Sequence, residues 1–405
     1  MTLANYPKSL INLDKQIDRS PNTFITMRAQ NLVQAAQMFD LKRSQNLGVE
    51  ARCEYVTRRT DKPVSYTSNS VLGAPWADDQ TSPLEVGEKW NEGRRATNTN
   101  IRYTFNEHGL PINPYMDTGM NGRGVLGRFG PNHAVDNGVL TLKEDNNGDI
   151  KLHALGILRK FDGDVPALAG GFAEYSKNYD GGYTFNRNHE LDTKTKEIFE
   201  EMVSGSIELM PEYNAVMTDE VNAALDTRIA TRNGEDLSKR QKEEIAEQVE
   251  TGLKLQQVET YDPDFLTRLY EITASGRECF AGPVLKSNRN TNNAWIETRL
   301  SWFMMDDTIW SYIKGKNPTF DYDFSPGDDA SGVQLFEISP WLLDNASGSH
   351  GALFAFMSAS YLLKMQEDGT EIPTTVIDQM KDLASFLVSH KPQHYTNQTN
   401  ARISP

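Results

Sequence analysis

The chain has 405 residues, a formal net charge of −15 and a pI near 5.0, with 17 Phe, 15 Tyr and 6 Trp. That length suffices for two domains or one large domain with extensions, and the aromatic content suffices for a real core. The acid excess, with no basic stripe, excludes a polynucleotide partner, while a small anion screened locally by a metal and a few Arg residues stays open.

Cys53 and Cys279 stand far apart and outside any CxxC pattern. This spacing predicts reduced thiols in a reducing compartment, with neither a disulfide nor a zinc site. The first thirty residues hold no apolar run of signal-peptide type, and nowhere do eighteen apolar residues follow one another. The expectation is a soluble, intracellular protein with no membrane association; no protein partner is indicated.

In chain order, apolar periodicity predicts a helix over residues 23–40, an appended packing element with no chemistry of its own. From residue 51 the pattern changes to short extended pieces at 53–57 and 64–67, then a Pro- and Trp-punctuated loop at 71–78. The densest glycine run follows, Gly119-Met-Asn-Gly-Arg-Gly-Val-Leu-Gly-Arg-Phe-Gly-Pro-Asn-His133. Such density implies φ > 0 or close backbone approach. Arg123 and Arg128 within it could offer forks to phosphate, and a tight linker between two domains is an equal reading. Residues 139–142 and 151–159, across a turn at 146–149, predict a hairpin.

Residues 157–171 end in Gly170-Gly171 and lead to a helix predicted over 191–205, capped by Asp192 or Thr193 and stopped at Gly205. Ile198, Phe199 and Met202 form its apolar stripe, while Glu197, Glu200 and Glu201, at i, i+3 and i+4, share one arc. A cation such as Mg²⁺, which takes a carboxylate or two plus phosphate oxygens, offsets their mutual repulsion. A solvated acidic face with Lys196 paired to Glu200 offsets it equally well. Strand, glycine pair, loop and acidic helix in that order suggest a mixed α/β layer with a site at the loop-to-helix junction. Beyond it come a Ser-x-x-Gln capping box at Ser238 opening an exposed helix, strands at 280–285, 294–303 and 333–338, and helices at 352–365 and 374–388.

The 119–133 string resembles the mitochondrial-type ADP-ribose pyrophosphatases of the Nudix hydrolase superfamily and the sensing domain of ADP-ribose-gated cation channels. Four further matches are collinear with it: Tyr66-Thr with Val71-Leu-Gly-x-Pro-Trp-Ala-Asp78, Arg159-Lys-x-x-Gly with Gly170-Gly171, Asn290-Thr-x-Asn-Ala-Trp-Ile-Glu-Thr298, and Gly327-Asp-Asp-Ala330. The resemblance covers about residues 51–365. It implies an α/β fold, a Nudix α/β/α sandwich with a smaller N-terminal α+β domain and helical insertions. The division expected is a helical extension at 1–50, a nucleotide-assisting domain at 51–118, a hydrolase domain at 119–365 with an insertion near 207–270, and a C-terminal helix and tail at 366–405. It also implies Mg²⁺-dependent hydrolysis of ADP-ribose to AMP and ribose 5-phosphate, with Mn²⁺ as a possible substitute.

The family box ends in Arg-Glu-x-x-Glu-Glu, which reads here Lys196-Glu-Ile-Phe-Glu-Glu201, so Glu197, Glu200 and Glu201 inherit the metal-ligand role and with it the catalytic one. By the same carry-over, His133, Arg159, Arg289 and His350 are nucleotide contacts. Three departures stand against the pattern: Lys196 replaces the box arginine, Lys177 occupies the position of an expected glutamate for which Glu174 or Glu190 would substitute, and a long insertion follows the helix. Two other readings therefore accompany the hydrolase: an ADP-ribose-binding sensor with little or no turnover, and a Nudix enzyme for another nucleoside diphosphate-X substrate. Asp306, Asp307, Asp328, Asp329 and Glu337 are candidate general bases by composition.

Overall fold

A computed structural model describes residues 21–45, 64–68, 71, 77, 103–160, 162–173, 176–177, 183–184, 187–231, 234, 236–305, 324–327 and 330–389. It opens with α1 (Pro21–Gln45), followed by β1 (Val64–Thr67), the short pair β2 (Thr104–Phe105) and β3 (Pro111–Ile112), and β4 (Met120–Gly124), which lies parallel to β1. Next come β5 (Gly130–Glu144), β6 (Ile150–Arg159), β7 (Val165–Ala167), β8 (Ala169–Phe172) and the small hairpin of β9 (Ser176–Lys177) with β10 (Tyr183–Thr184). Helix α2 (Arg187–Ile198) runs into one wide π turn (Phe199–Val203) and a 3₁₀ turn (Ser204–Ser206). Over the stretch expected near 207–270 as an insertion, and just beyond it, come three helices, α3 (Pro211–Thr231), α4 (Lys239–Tyr261) and α5 (Pro263–Ala274). Strands β11 (Arg277–Pro283), β12 (Ala294–Met304) and β13 (Ala330–Glu337) and helices α6 (Pro340–Asn345), α7 (His350–Glu367) and α8 (Thr374–Ser389) complete it.

The architecture is mixed α/β. A seven-stranded sheet has the order β11-β12-β5-β6-β13, with β7 added to β6 and β8 to β5. Strands β5 and β12 are parallel, from Gly130↔Ala294 to Leu140↔Met304, and the other pairings are antiparallel. The β5–β6 ladder runs only from Val139↔Leu155 to Glu144↔Ile150. Beyond it the two strands diverge, and β7 and β8 fill the fork, one on each side.

Side-chain alternation sorts the sheet into two faces. Leu140, Leu300 and Trp302 join α1, α7 and α8 in one buried cluster. Val139 and Phe303 join Ile198, Phe199, Met202 and Val203 of the α2 segment in another, which also takes Val258, Phe265 and Leu269 from α4 and α5. Each fully buried residue of this size stabilises the fold by roughly 1.5–3 kcal/mol, so α4 and α5 are part of the core that holds the acidic segment. The expected capping box forms, with Ser238 and Gln241 satisfying each other's backbone N–H groups, and Asp262 caps α5 ahead of Pro263. Among the described residues no helix is long and apolar enough to cross a membrane.

Three expectations need correction. Strand β5 begins at Gly130, not residue 139, because its glycine- and Asn-containing first half is paired on both edges, to β12 and β8. Tertiary pairing there overrides local propensity. The acidic helix begins at Arg187, which leaves Asp192 and Thr193 inside it rather than at its cap. Helix α1 extends beyond the predicted 23–40 in both directions. Cys53 lies outside the described residues; Cys279 is free on β11, and burial pushes its thiol up, away from reactivity.

Candidate functional site

The acidic residues do not sit on a regular α-helix. From Phe199 the backbone widens, Ser204 N–H donating to the Phe199 carbonyl, five residues back. A single wide turn of this kind is common at functional sites. Glu201 is buried, and its Oε2 accepts the Gly170 N–H at 2.9 Å. The Glu197 carboxylate lies against Gly171, where an added Cβ would fall 1.8 Å from Oε1. Glu200 is held by Lys196 at 3.4 Å, so the pairing expected for a solvated face forms too. Among the described residues no three acidic, His or Cys side chains already converge into a metal cage. The donor set nevertheless suits Mg²⁺, which keeps part of its shell for water and phosphate oxygens.

The far end of the wide turn is sealed by residues 324–327. Ser325 N–H donates to the Met202 carbonyl at 2.5 Å, and a Cβ on Gly327 would fall 2.0 Å from the Glu200 carbonyl. The Gly327-Asp-Asp motif thus starts beside the acids, but Asp328 and Asp329 lie outside the described residues, as do Asp306, Asp307 and Glu174. Glu190 is within α2. Glu337 is ruled out as a general base by register: it pairs with His153, whereas Ala330 pairs with Arg159 beside the site. Seven residues of strand separate the two ends, roughly 20 Å.

The other side of β8 carries a second group. Asp136 of β5 is buried, opposite Gly170 in register; its Oδ2 accepts the Thr298 hydroxyl at 2.5 Å. His350, first residue of α7, has Nδ1 at 4.0 Å from Asp136 Oδ1. This is no ion pair, because Nδ1 accepts the Leu168 N–H at 3.2 Å, so the imidazole is neutral with its proton on Nε2. Leu168 has that N–H to give because it stands at the apex of the fork, between the two ladders. Arg289 lies over the Phe172 ring at 5.2 Å, and Arg159 Nε is 3.3 Å from Asp162. Burial pushes the Asp136 carboxyl up to about 6, against the lowering effects of the Thr298 hydrogen bond, Arg159, Lys194 and Arg289. Burial, then Arg159 and Arg289, pushes His350 down to about 3.

Three of the four expected nucleotide contacts, Arg159, Arg289 and His350, therefore gather around Asp136, which sequence reasoning missed. The available signal was a charged residue in the alternating run His133-Ala-Val-Asp136, passed over because the strand was expected to start later. His133, buried at 1% exposure, shares the opposite face of β5 with Val135, Asn137 and Val139 and is in register with Glu297. It stands on the carboxylate side. Arg123 is not offered to solvent: it is fully buried, donates from Nη1 to the Gly127 carbonyl at 2.9 Å and lies over Phe129. The glycine string is docked by the Asn-rich loop. Thr291 Oγ1 donates to the Gly122 carbonyl at 2.6 Å, Asn293 Oδ1 accepts the Gly122 N–H at 2.9 Å, and Gly122 and Gly124 hold φ of 87° and 62°.

The two perturbed groups oppose each other as pH changes. Between pH 3.8 and 6 the folded state keeps a proton on Asp136 that the unfolded chain releases, so this group's stabilisation falls as pH rises. Between pH 3 and 6.5 the unfolded chain protonates His350 and the folded state does not, so this group's contribution rises with pH. Asp136→Asn keeps an oxygen for the Thr298 hydroxyl and leaves only the second slope. The variant is expected to exceed the wild type at pH 7 by on the order of 3 kcal/mol, an advantage that vanishes near pH 4. Urea midpoints between pH 4 and 7 measure this; parallel pH profiles would refute it.

Comparison with known proteins follows the same line. Residues 55–130 match the family described as NUDT9-like, N-terminal domain. A Nematostella vectensis protein, transient receptor potential cation channel subfamily M member-like 2, is 30% identical over 293 residues, 69% of this chain and 14% of its own length. The mitochondrial ADP-ribose pyrophosphatase of Rattus norvegicus is 42% identical over 95 residues, 22% of this chain and 27% of its own. The putative nudix hydrolase 6 of Caenorhabditis elegans is 30% identical over 150 residues, 36% and 52% respectively. The chain thus spans about half or less of the relatives it matches. The resemblance read from the glycine string is borne out, and a NUDT9-like N-terminal segment precedes β5.

Proposed function

We propose that this protein hydrolyses ADP-ribose to AMP and ribose 5-phosphate with a divalent cation, Mg²⁺ or in its place Mn²⁺. The observation that carries the reading is the glycine strand β8, with carboxylates on Gly170 and Gly171 from one side and Asp136 and His350, flanked by Arg159 and Arg289, on the other. A cation-seeking surface beside a cationic one suits a pyrophosphate, whose oxygens bridge both. With the reading goes a Nudix α/β/α sandwich over 119–365 and a smaller domain over 51–118 that helps to hold the nucleotide.

Glu197, Glu200 and Glu201 would hold the cation, which when bound supplies Lewis-acid polarisation of phosphoryl oxygens. The guanidinium groups of Arg159 and Arg289 bind and orient the anionic substrate, and His350 donates a neutral Nε2–H rather than a charge. Water adds to one phosphorus, the bridging P–O bond breaks, and AMP and ribose 5-phosphate leave.

The competing sensor reading is favoured by one feature, the Lys196–Glu200 pair, which engages one of the three carboxylates. It also has support from the channel relative, whose match extends furthest along this chain. AMP release from ADP-ribose with purified protein, with and without EDTA, separates the two. Metal-dependent AMP is the expected result. Saturable ADP-ribose binding by calorimetry with no AMP would overturn hydrolysis in favour of the sensor.

A further inference from the structure

Helix α1 precedes both the matched family segment and the stretch that carries the resemblance, and by sequence it is only a packing element. Its apolar stripe, with Ala29, Leu32, Ala36 and Phe39 buried, places it in the cluster built on α7 and α8. Small residues on that stripe let it approach closely. Asp40, near its C-terminal end, does something else. This carboxylate is 3% exposed, and its Oδ2 accepts the Ser349 hydroxyl at 3.1 Å.

Ser349 is itself 3% exposed and is the residue before α7, yet its side chain makes no capping bond to that helix. Its oxygen instead accepts the Lys286 N–H at 3.0 Å while its hydrogen goes to Asp40. Gly348, at φ 49°, brings the same turn so near that a Cβ would lie 3.1 Å from the Lys286 carbonyl. One hydroxyl therefore ties together the end of α1, the start of α7 and the loop between β11 and β12. His350 is the next residue in one of these elements, and Arg289 follows three residues after Lys286 in another. A carboxylate beside the first turn of α7 is also favoured by the helix dipole.

We propose that Asp40 is a positioning residue for the nucleotide site, acting through Ser349 to set His350 and the Arg289 loop before ligand arrives. The N-terminal helix is then a component of the site and not an accessory to the core. This rests on the reading that His350 and Arg289 contact ADP-ribose. Removing the acceptor frees a buried hydroxyl and loosens both neighbours, so the cost falls on binding and not on the chemical step.

The test uses the full chain with Asp40→Ala, Asp40→Asn and Asp40→Ala combined with Ser349→Ala. It has two readouts: ADP-ribose affinity with turnover, and amide hydrogen exchange without ligand. Asp40→Ala is expected to raise Kd and KM about tenfold with kcat unchanged, the size of losing a hydrogen bond to a buried carboxylate. Asp40→Asn, which keeps an acceptor, stays within about twofold, and the double variant is no worse than Asp40→Ala because both break one link. In ligand-free protein, exchange quickens at 284–291 and 347–352 in Asp40→Ala and not in Asp40→Asn. Unchanged affinity and exchange in Asp40→Ala would overturn the proposal, as would faster exchange spread evenly over α1, α7 and α8, the mark of a merely structural role. If the wild type does not bind ADP-ribose, the functional reading fails and the exchange pattern alone decides whether the link exists.

Discussion

Glu201→Gln is expected to lower AMP release from ADP-ribose by about a thousandfold or more, with the unfolding midpoint little changed. The effect follows from where the charge sits. Glu201 is the most buried of the three acids and is fixed by the Gly170 N–H, so its second oxygen has a defined direction. Glutamine keeps an oxygen for that N–H and nearly the same volume, and removes only the negative charge. A cation that neutralises developing charge on phosphate is worth several kcal/mol at the transition state, and a thousandfold corresponds to about 4 kcal/mol. Glu200→Gln should cost less than Glu201→Gln, since Glu200 is already engaged by Lys196. Steady-state AMP release at saturating Mg²⁺, read beside chemical denaturation, measures both; turnover retained in Glu201→Gln would remove the metal assignment.

Gly170→Ala and Gly171→Ala should fail in opposite ways. A Cβ on Gly170 would lie 2.4 Å from the Val135 carbonyl and 3.0 Å from the Asp136 Cα, backbone that belongs to the ladder and cannot retreat. Overpacking of this kind costs about 3 kcal/mol, so Gly170→Ala should shift the denaturation midpoint strongly. The nearest atoms to a Cβ on Gly171 belong to the far end of the Glu197 side chain, at 1.8 Å to Oε1 and 2.4 Å to Cδ. That side chain can rotate away, so stability should change by less than about 1 kcal/mol. Turnover should nevertheless fall on the order of a hundredfold, because a ligand displaced by an ångström no longer meets the reacting group. Denaturation curves and AMP release on the two proteins decide it. Equal stability losses would mean that the glycine pair serves packing alone.

The elements with clean periodicity were legible in the sequence. Strands β6, β12 and β13 and helices α7 and α8 fall within a few residues of their expected positions, because the spacing of their apolar residues matches the element each forms. What was illegible depended on neighbours far away in the chain. The first half of β5 reads as a turn until β12 and β8 flank it, and Asp136 was lost with it. The wide turn was invisible as well, since Phe199-Glu-Glu-Met-Val203 has the same residue spacing whether its hydrogen bonds close on the fourth or the fifth residue. The three acids were expected on one arc of a regular helix, whereas Glu200 and Glu201 fall within the wide turn. Of the residues expected to contact nucleotide, Arg159 and Arg289 lie near enough to His350 to act on its charge, while His133 is on the opposite face of β5 from Asp136.

The three helices between the wide turn and β11 leave their mark on the order in which the molecule can be completed. Phe199 and Met202 leave the growing chain well before Phe265 and Leu269, the residues that cover them. Until those residues are synthesised, the acidic turn has carboxylates on one side and an uncovered apolar flank on the other. Contacts of such sequence separation form late and slow the search for the native state. Chains halted between α3 and α5 would display Phe199 and Met202 as a sticky surface, and chaperone demand should peak over that interval of translation.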